Sequence, residues 1–188
     1  DITVGGFTEE TMRYRRARVA GGCYFFTVVT FRRCKLFADE YAVSVLRDAF
    51  RVVMVRRPFV MNAAVVLPDH MHCIWTLPEN DADFAGRWPL IKTSVTKKLS
   101  DYAATRLIRP TQSPRSVWQH RYWEHLIRDD DDYRAHIDYV HYNPVKHGHV
   151  RRPLDWRYSS IHGYVADGSL PTDWGAAYMD CQQDVGRE

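Results

Sequence analysis

Two histidines, a tyrosine and an asparagine are the residues of this 188-residue chain whose types and spacing could do chemistry together. His70 and His72 stand two apart in the run His70-Met71-His72-Cys73-Ile74-Trp75. On a β-strand, alternate residues point to opposite faces. His70, His72, Ile74 and Thr76 then share one face, and Met71, Cys73, Trp75 and Leu77 share an apolar one. Two imidazoles so placed can hold one metal ion between them. Imidazole suits Zn, Cu, Fe and Ni, and a mixed shell with an amide and water also suits Mg or Mn. Two polar residues on a half-exposed strand would read the same way. Further on, Tyr133, Ile137 and Val140 make the core stripe of a helix at i, i+4 and i+7. Tyr139 and Asn143, four apart, stack on one face beside that stripe, and His136 lies one turn before Tyr139. Docked by its stripe, such a helix aims Tyr139 and Asn143 at the sheet. The plainer alternative is a packing tyrosine and an asparagine that ends a helix ahead of Pro144.

The elements that must position these residues are legible in the pattern. Cys23 to Phe31 is β-branched and aromatic and predicts a strand. Ala38 to Arg56 repeats its apolar residues at helical spacing, and Pro58 ends it. Phe59 to Leu67 and His70 to Leu77 predict two strands joined by a Pro68-Asp69 turn. A helix is expected within Leu90 to Leu107, and a strand over Val117 to Arg128. Asp129 to Asp132 caps a last helix that runs to about Asn143, because Pro144 biases the residue before it out of helix. From His147 onward the chain is expected to be loop-like, apart from short pieces. The order β-α-β-β-α-β followed by a helix predicts an α+β, ferredoxin-like (RRM-like) antiparallel sheet. Two helices should cover one face, and the added C-terminal helix should cover the other or leave it open.

Composition bounds the function. The hydrophobic share of 45% and charged share of 26% are globular values, which excludes a disordered or fibrous chain. No apolar run is long enough to span a membrane, and no secretory pattern opens the sequence. Cys23, Cys34, Cys73 and Cys181 form no CxxC pair and predict reduced thiols in a cytoplasmic protein. Net charge is +3, but residues 158–188 hold five acids and one base, so the body carries +7. Its positive residues cluster at Arg13, Arg15, Arg16 and Arg18, at Arg32, Arg33 and Lys35, at Arg56 and Arg57, and at Lys146, Arg151 and Arg152. A basic body suits a polyanion such as nucleic acid. An ordinary solvated surface is the alternative. Three units follow: a basic arm over 1–20, a central domain over 21–157 that carries His70, His72, Tyr139 and Asn143, and an acidic tail over 158–188.

Several ordered motifs resemble one family. Val65-Val66-Leu67-Pro68-Asp69-His70-Met71-His72-Cys73-Ile74-Trp75 is similar to the His-hydrophobic-His motif of the single-tyrosine HUH transposases. His136-Ile137-Asp138-Tyr139-Val140-His141-Tyr142-Asn143-Pro144-Val145-Lys146-His147-Gly148 resembles their nucleophile helix. Gly21 to Val28, Trp118 to Arg128 and Asp155 to Ser160 extend the likeness, which covers roughly residues 13–175 and is greatest for the REP-associated tyrosine transposases. These are bacterial proteins tied to repetitive extragenic palindromes.

The resemblance implies roles. Tyr139 matches the nucleophile, and His70 and His72 match metal ligands. Asn143 stands where the wider superfamily often uses Gln as a third ligand, one methylene longer. His125, His136 and His141 match no catalyst and are left as supporting contacts. The implied enzyme is a single-stranded DNA endonuclease and strand transferase that uses Mg2+ or Mn2+. It would recognise palindromic REP hairpins, cut through a 5′-phosphotyrosine and reseal without ATP. An ordinary tyrosine is protonated at neutral pH, so the metal or a basic group must help it lose its proton. Arg13, Tyr14, Arg15 and Arg16, with Arg121 and Lys146, are the expected DNA contacts. Tyr24, Trp118, Tyr122 and Trp123 are candidates for stacking on unpaired bases. The expected protein acts as a monomer on the nucleoid. Two other readings stay open: a relative that holds DNA hairpins without cutting them, and a metallohydrolase that activates water and has no use for Tyr139 or the basic arm.

Overall fold

The structure, a computed structural model, describes residues 18–105 and 117–175. Its centre is an antiparallel sheet of four strands: β1 (Cys23–Val29), β2 (Val60–Val66), β3 (His70–Thr76) and β4 (Trp123–Leu126). They lie in the order β2-β3-β1-β4, so β1 and β3 are central. Both are buried on their two faces, which explains why β1 reads as a continuous apolar run.

Each face has its own core. On one, Tyr24, Phe26 and Val28 of β1 and Met71, Cys73 and Trp75 of β3 pack with helices α1 (Glu40–Arg56) and α2 (Arg87–Thr105). The apolar side of the histidine strand therefore meets two helices, as its alternation predicts. Trp75 and Trp88 stack at 4.5 Å in this layer. On the other face, Phe25, Ala63, Val65, Leu67 and Ile74 receive Ile137 and Val140 of α3 (Asp130–Lys146). The α3 stripe is thus the one read from the sequence, with Tyr133 at its margin.

Local chemistry starts the helices. The Asp39 carboxylate accepts the Tyr41 N–H at the head of α1, and the Asp129 carboxylate accepts the Asp132 N–H at the head of α3. Asp130, Asp131 and Asp132 fill the first turn of α3 and Lys146 its last, both favourable to the helix dipole.

The observed elements depart from expectation in two places. α3 does not end at Asn143; it runs through Pro144 to Lys146. Proline lacks only its own N–H, a small loss in a final turn. Asn143 and Pro144 are buried, and the His147 N–H closes on the Asn143 carbonyl at 3.0 Å. The extra turn keeps Lys146 on the same helix as Tyr139. The strand expected over Val117 to Arg128 is only Trp123–Leu126 plus one bridge, Thr30 to Trp118. Trp118 turns its ring into the core against Phe37, and its indole N–H donates to the Lys92 carbonyl at 3.3 Å. The Gln119 N–H still donates to the Val29 carbonyl at 2.9 Å, and the chain leaves the edge of β1 only over residues 120–122.

After α3 come a single 3-10 turn (Pro153–Asp155) and α4 (Ile161–Ala166). Residues 158–160, the start of the acidic segment, lie along β2: the Val66 N–H donates to the Tyr158 carbonyl and the Ser160 N–H to the Ala64 carbonyl. No helix among the described residues is long and apolar enough to cross a membrane.

Candidate active site

The sheet register builds the site. Central β3 pairs with β1 so that Thr27 lies opposite His72 and Val29 opposite His70. Both histidines are buried, on the face covered by α3. Their rings are 5.0 Å apart and nearly perpendicular. The Asp69 carboxylate accepts a hydrogen bond from His70 Nδ1–H at 2.6 Å. The Thr27 hydroxyl and His72 Nδ1 share a hydrogen bond of 2.9 Å. Each imidazole is thus held through Nδ1, the arrangement that leaves Nε2 to point at a metal.

α3 brings the other predicted groups to the same place. The Tyr139 ring lies 5.1 Å from the His72 ring, and Phe25 touches both, at 5.4 Å from His72 and 5.8 Å from Tyr139. Asn143 is fully buried one turn beyond Tyr139. His72 Nε2 and both polar atoms of the Asn143 amide are buried with no hydrogen-bond partner outside this pair, and the Asn143 side chain interacts with His72. Leaving such groups unmade costs about 1–3 kcal/mol each. A divalent ion would satisfy the imidazole nitrogen and the amide oxygen at once. The donor set therefore fits a metal.

Charge favours the same use. Burial, and then the neighbouring His70, His147 and Lys146, hold His72 well below the usual imidazole range, against a smaller opposing contact from the Asn143 side chain. It stays neutral and keeps a lone pair for an ion. Lys146 Nζ sits 4.7 Å over the Tyr139 ring, so this predicted DNA contact lies beside the tyrosine itself. Arg33 approaches the second oxygen of Asp69 at 3.5 Å. Arg32 and Arg33 both adopt left-handed backbone, at φ 53° and 52°. Two consecutive non-glycine residues in that region store strain of the kind found at functional sites.

Other sequence-predicted residues are scattered. Arg121 is exposed, in the loop ahead of β4. Arg13, Tyr14, Arg15 and Arg16 lie outside the described residues. Of the stacking candidates, Tyr24 and Trp118 belong to the core, whereas Trp123 is 52% exposed on β4. Three neighbours of the site have no site role in the sequence reading. Asp69 reads there only as a turn residue beside His70. Thr27 becomes visible once the β1–β3 register is known. His147, with its ring 5.1 Å from His70, lies just past the end of α3.

A separate group, His125, Asp132 and His136, brings one ligand atom from each residue within 4.8 Å of the others and can hold a metal ion.

No protein-family model matches the chain. It is similar to the REP-associated tyrosine transposase of Escherichia coli (strain K12), with 45% identity over 168 residues, 89% of this chain and 93% of that one. It is also similar to a solved REP-associated tyrosine transposase bound to a REP hairpin. The TM-score is 0.78 and the identity 42%, over 95% of this chain and 98% of the other. Identity at this level over nearly the full length of both relatives, with a buried His-x-His strand facing a tyrosine helix, establishes that this chain belongs to the REP-associated tyrosine transposases.

Proposed function

We propose that this transposase cuts and rejoins single-stranded DNA at palindromic REP hairpins through a covalent 5′-phosphotyrosine on Tyr139. His70, His72 and Asn143 hold one divalent ion, Mg2+ or Mn2+. The observation that carries this reading is the buried pair of His72 Nε2 and the Asn143 amide, with no other polar partner, beside the Tyr139 ring. The ion, when bound, supplies positive charge to the non-bridging oxygens of the scissile phosphate.

The chain's own residues do the rest. Asp69 and Thr27 fix the two imidazoles. Phe25 walls the site with an apolar ring. Lys146 sets a positive charge over the Tyr139 ring, where it favours loss of the phenolic proton as the nucleophile forms. The Tyr139 oxygen then bonds to phosphorus, the bond from phosphorus to the 3′-oxygen breaks, and that oxygen takes up a proton and leaves as a 3′-OH. Because one ester replaces another, a 3′-OH can attack in turn and restore the DNA strand, releasing Tyr139. This accounts for rejoining without a nucleotide cofactor.

Residues 21–157 form the catalytic unit. The arm over 1–20, through Arg13, Tyr14, Arg15 and Arg16, contacts the foot of the hairpin. Arg121 contacts phosphate from the edge of the sheet, and Lys146 does so beside Tyr139. The likeness to a relative solved on a REP hairpin supports the hairpin as ligand. The protein works as a monomer in the bacterial cytoplasm, on the nucleoid. The test is incubation with a labelled single-stranded REP palindrome and Mn2+, resolved on a denaturing gel. A cut strand that EDTA prevents is expected. Binding of the hairpin with no cut under any divalent ion would favour a hairpin-binding relative instead.

A further inference from the structure

The transposition chemistry makes no use of the second group of metal-ligating side chains. His125 stands on β4, and Asp132 and His136 stand four apart on α3, so one helical turn presents a carboxylate and an imidazole to the strand. Their ligand atoms lie within 4.8 Å of one another, the one such cluster found among the described residues. The two imidazole rings are nearly parallel, at 15° and 4.6 Å. Each side chain is about one-fifth exposed, so an ion can enter while bulk water is largely kept out.

The surroundings favour a cation. Asp129, Asp130, Asp131 and Asp132 follow one another at this end of α3. The helix N-terminus opposes them with only roughly half a positive charge. Arg134 offsets one carboxylate, that of Asp131. The same negative charge makes the spot a poor one for a DNA phosphate.

We propose that His125, Asp132 and His136 form a second, structural metal site that takes a transition ion of the Zn2+, Co2+ or Ni2+ type and ties β4 to the first turns of the nucleophile helix. Two imidazoles and a carboxylate select such ions over Mg2+, and three protein ligands leave a fourth position for water. The Asp132 carboxylate accepts from His125 Nε2–H at 2.8 Å and from the Arg128 N–H at 3.0 Å, while His136 Nδ1 lies 2.8 Å from the Asp132 carbonyl and 3.0 Å from the Asp132 carboxylate. The ion takes the place of the hydrogen bond between His125 and Asp132: the single proton of the neutral imidazole moves from Nε2 to Nδ1, and Nε2 is left to ligate.

This site is not half of a two-metal centre. Ions that share one phosphate sit about 4 Å apart. Here the Phe25 ring stands between, 5.4 Å from His72 and 4.8 Å from His136. Its effect on Tyr139 is through geometry: His136 precedes Tyr139 by one turn, so anchoring His136 to β4 sets where that turn lies over the sheet.

The test works in a His70→Ala/His72→Ala background, so that it does not depend on what those two histidines do. The full chain, stripped with chelator, is titrated with Co2+ and followed by visible absorption, with Zn2+ stoichiometry measured by equilibrium dialysis. One equivalent should bind, Mg2+ should not displace it, and Zn2+ should raise the melting temperature. Adding His136→Ala should weaken binding by at least about tenfold and abolish the thermal shift. Asp132→Asn, which keeps the side-chain shape, should do the same, while His149→Ala should change neither. Absence of stoichiometric binding in the background variant would overturn the site, as would binding that survives both His136→Ala and Asp132→Asn.

Discussion

At the scale of residues, His70 and His72, the proposed metal ligands, are held by partners from different parts of the fold, and this gives a prediction. Asp69→Asn and Thr27→Val each leave both imidazoles in place but loosen one of them. Partners of this kind typically contribute on the order of 10–100-fold in metal affinity. The Mn2+ concentration for half-maximal cleavage should rise by that amount in either variant, with hairpin binding in EDTA unchanged. An unshifted Mn2+ requirement in both would separate these bonds from metal binding. A second prediction concerns His141, which is fully buried, bonded through Nε2 to the Ser160 hydroxyl at 2.8 Å, and pushed down to about 4 by burial. Between its unfolded value near 6.5 and about 4, the unfolded chain binds the extra proton and the folded chain does not. Stability therefore falls as pH drops through that window, by up to about 3 kcal/mol from this group. His72 acts in the same direction. Urea unfolding at pH 7 and pH 4.5 should show the loss, and His141→Gln should reduce it. A variant with an undiminished slope would assign the acid loss to other groups. His70, His72, Tyr139 and Asn143 were legible because strand and helix periods put them on predictable faces. Thr27 and His147 were not, because one depends on strand register and the other on where a helix stops.

At the scale of elements, α3 and β3 face each other across a small second core, while α1 and α2 hold the opposite face. Arg87 locks that opposite layer. Fully buried at the start of α2, it donates to the carbonyls of Arg57, Pro58 and Asp83 and to the Asp81 carboxylate. Arg87→Met should strip those acceptors of their donor and destabilise the fold by about 3 kcal/mol. Thermal and urea unfolding at neutral pH measure it, and a loss under 1 kcal/mol, about the worth of one ordinary hydrogen bond, would contradict the lock. The sequence showed α1, the β2–β3 hairpin and the α3 stripe because apolar spacing alone specifies them. It overran β4 because the Trp118 anchor is a tertiary contact. It cut α3 short at Pro144 because local preference is overridden where a buried final turn packs well.

At the scale of the molecule, every group of the proposed site comes from one chain, and no second copy is needed to complete it. Light scattering at micromolar concentration should give a monomer, and a stable dimer would contradict that expectation. The acidic segment has a docked beginning, with Tyr158 and Ser160 on β2 and Trp174 against His141 at 6.0 Å. The remainder, 176–188, lies outside the described residues and holds three acids and one base. Its charge should compete with phosphate for the basic body of the chain, an attraction that salt screens over about 8–10 Å. Removing 176–188 should strengthen hairpin binding at low salt and lose that gain at high salt. Equal affinity at both salts would make the segment passive. Charge asymmetry along the chain was visible in composition, but which part of the acidic segment docks depends on the edge of β2. The central claim is that Tyr139 becomes covalently joined to DNA. The most direct measurement is denaturing electrophoresis of the Mn2+ reaction with a labelled palindrome, followed by mass spectrometry of the trapped peptide. A 5′-phosphotyrosine on Tyr139 that disappears in Tyr139→Phe is the predicted result; cleavage by Tyr139→Phe at the wild-type rate, with no adduct, would contradict the account.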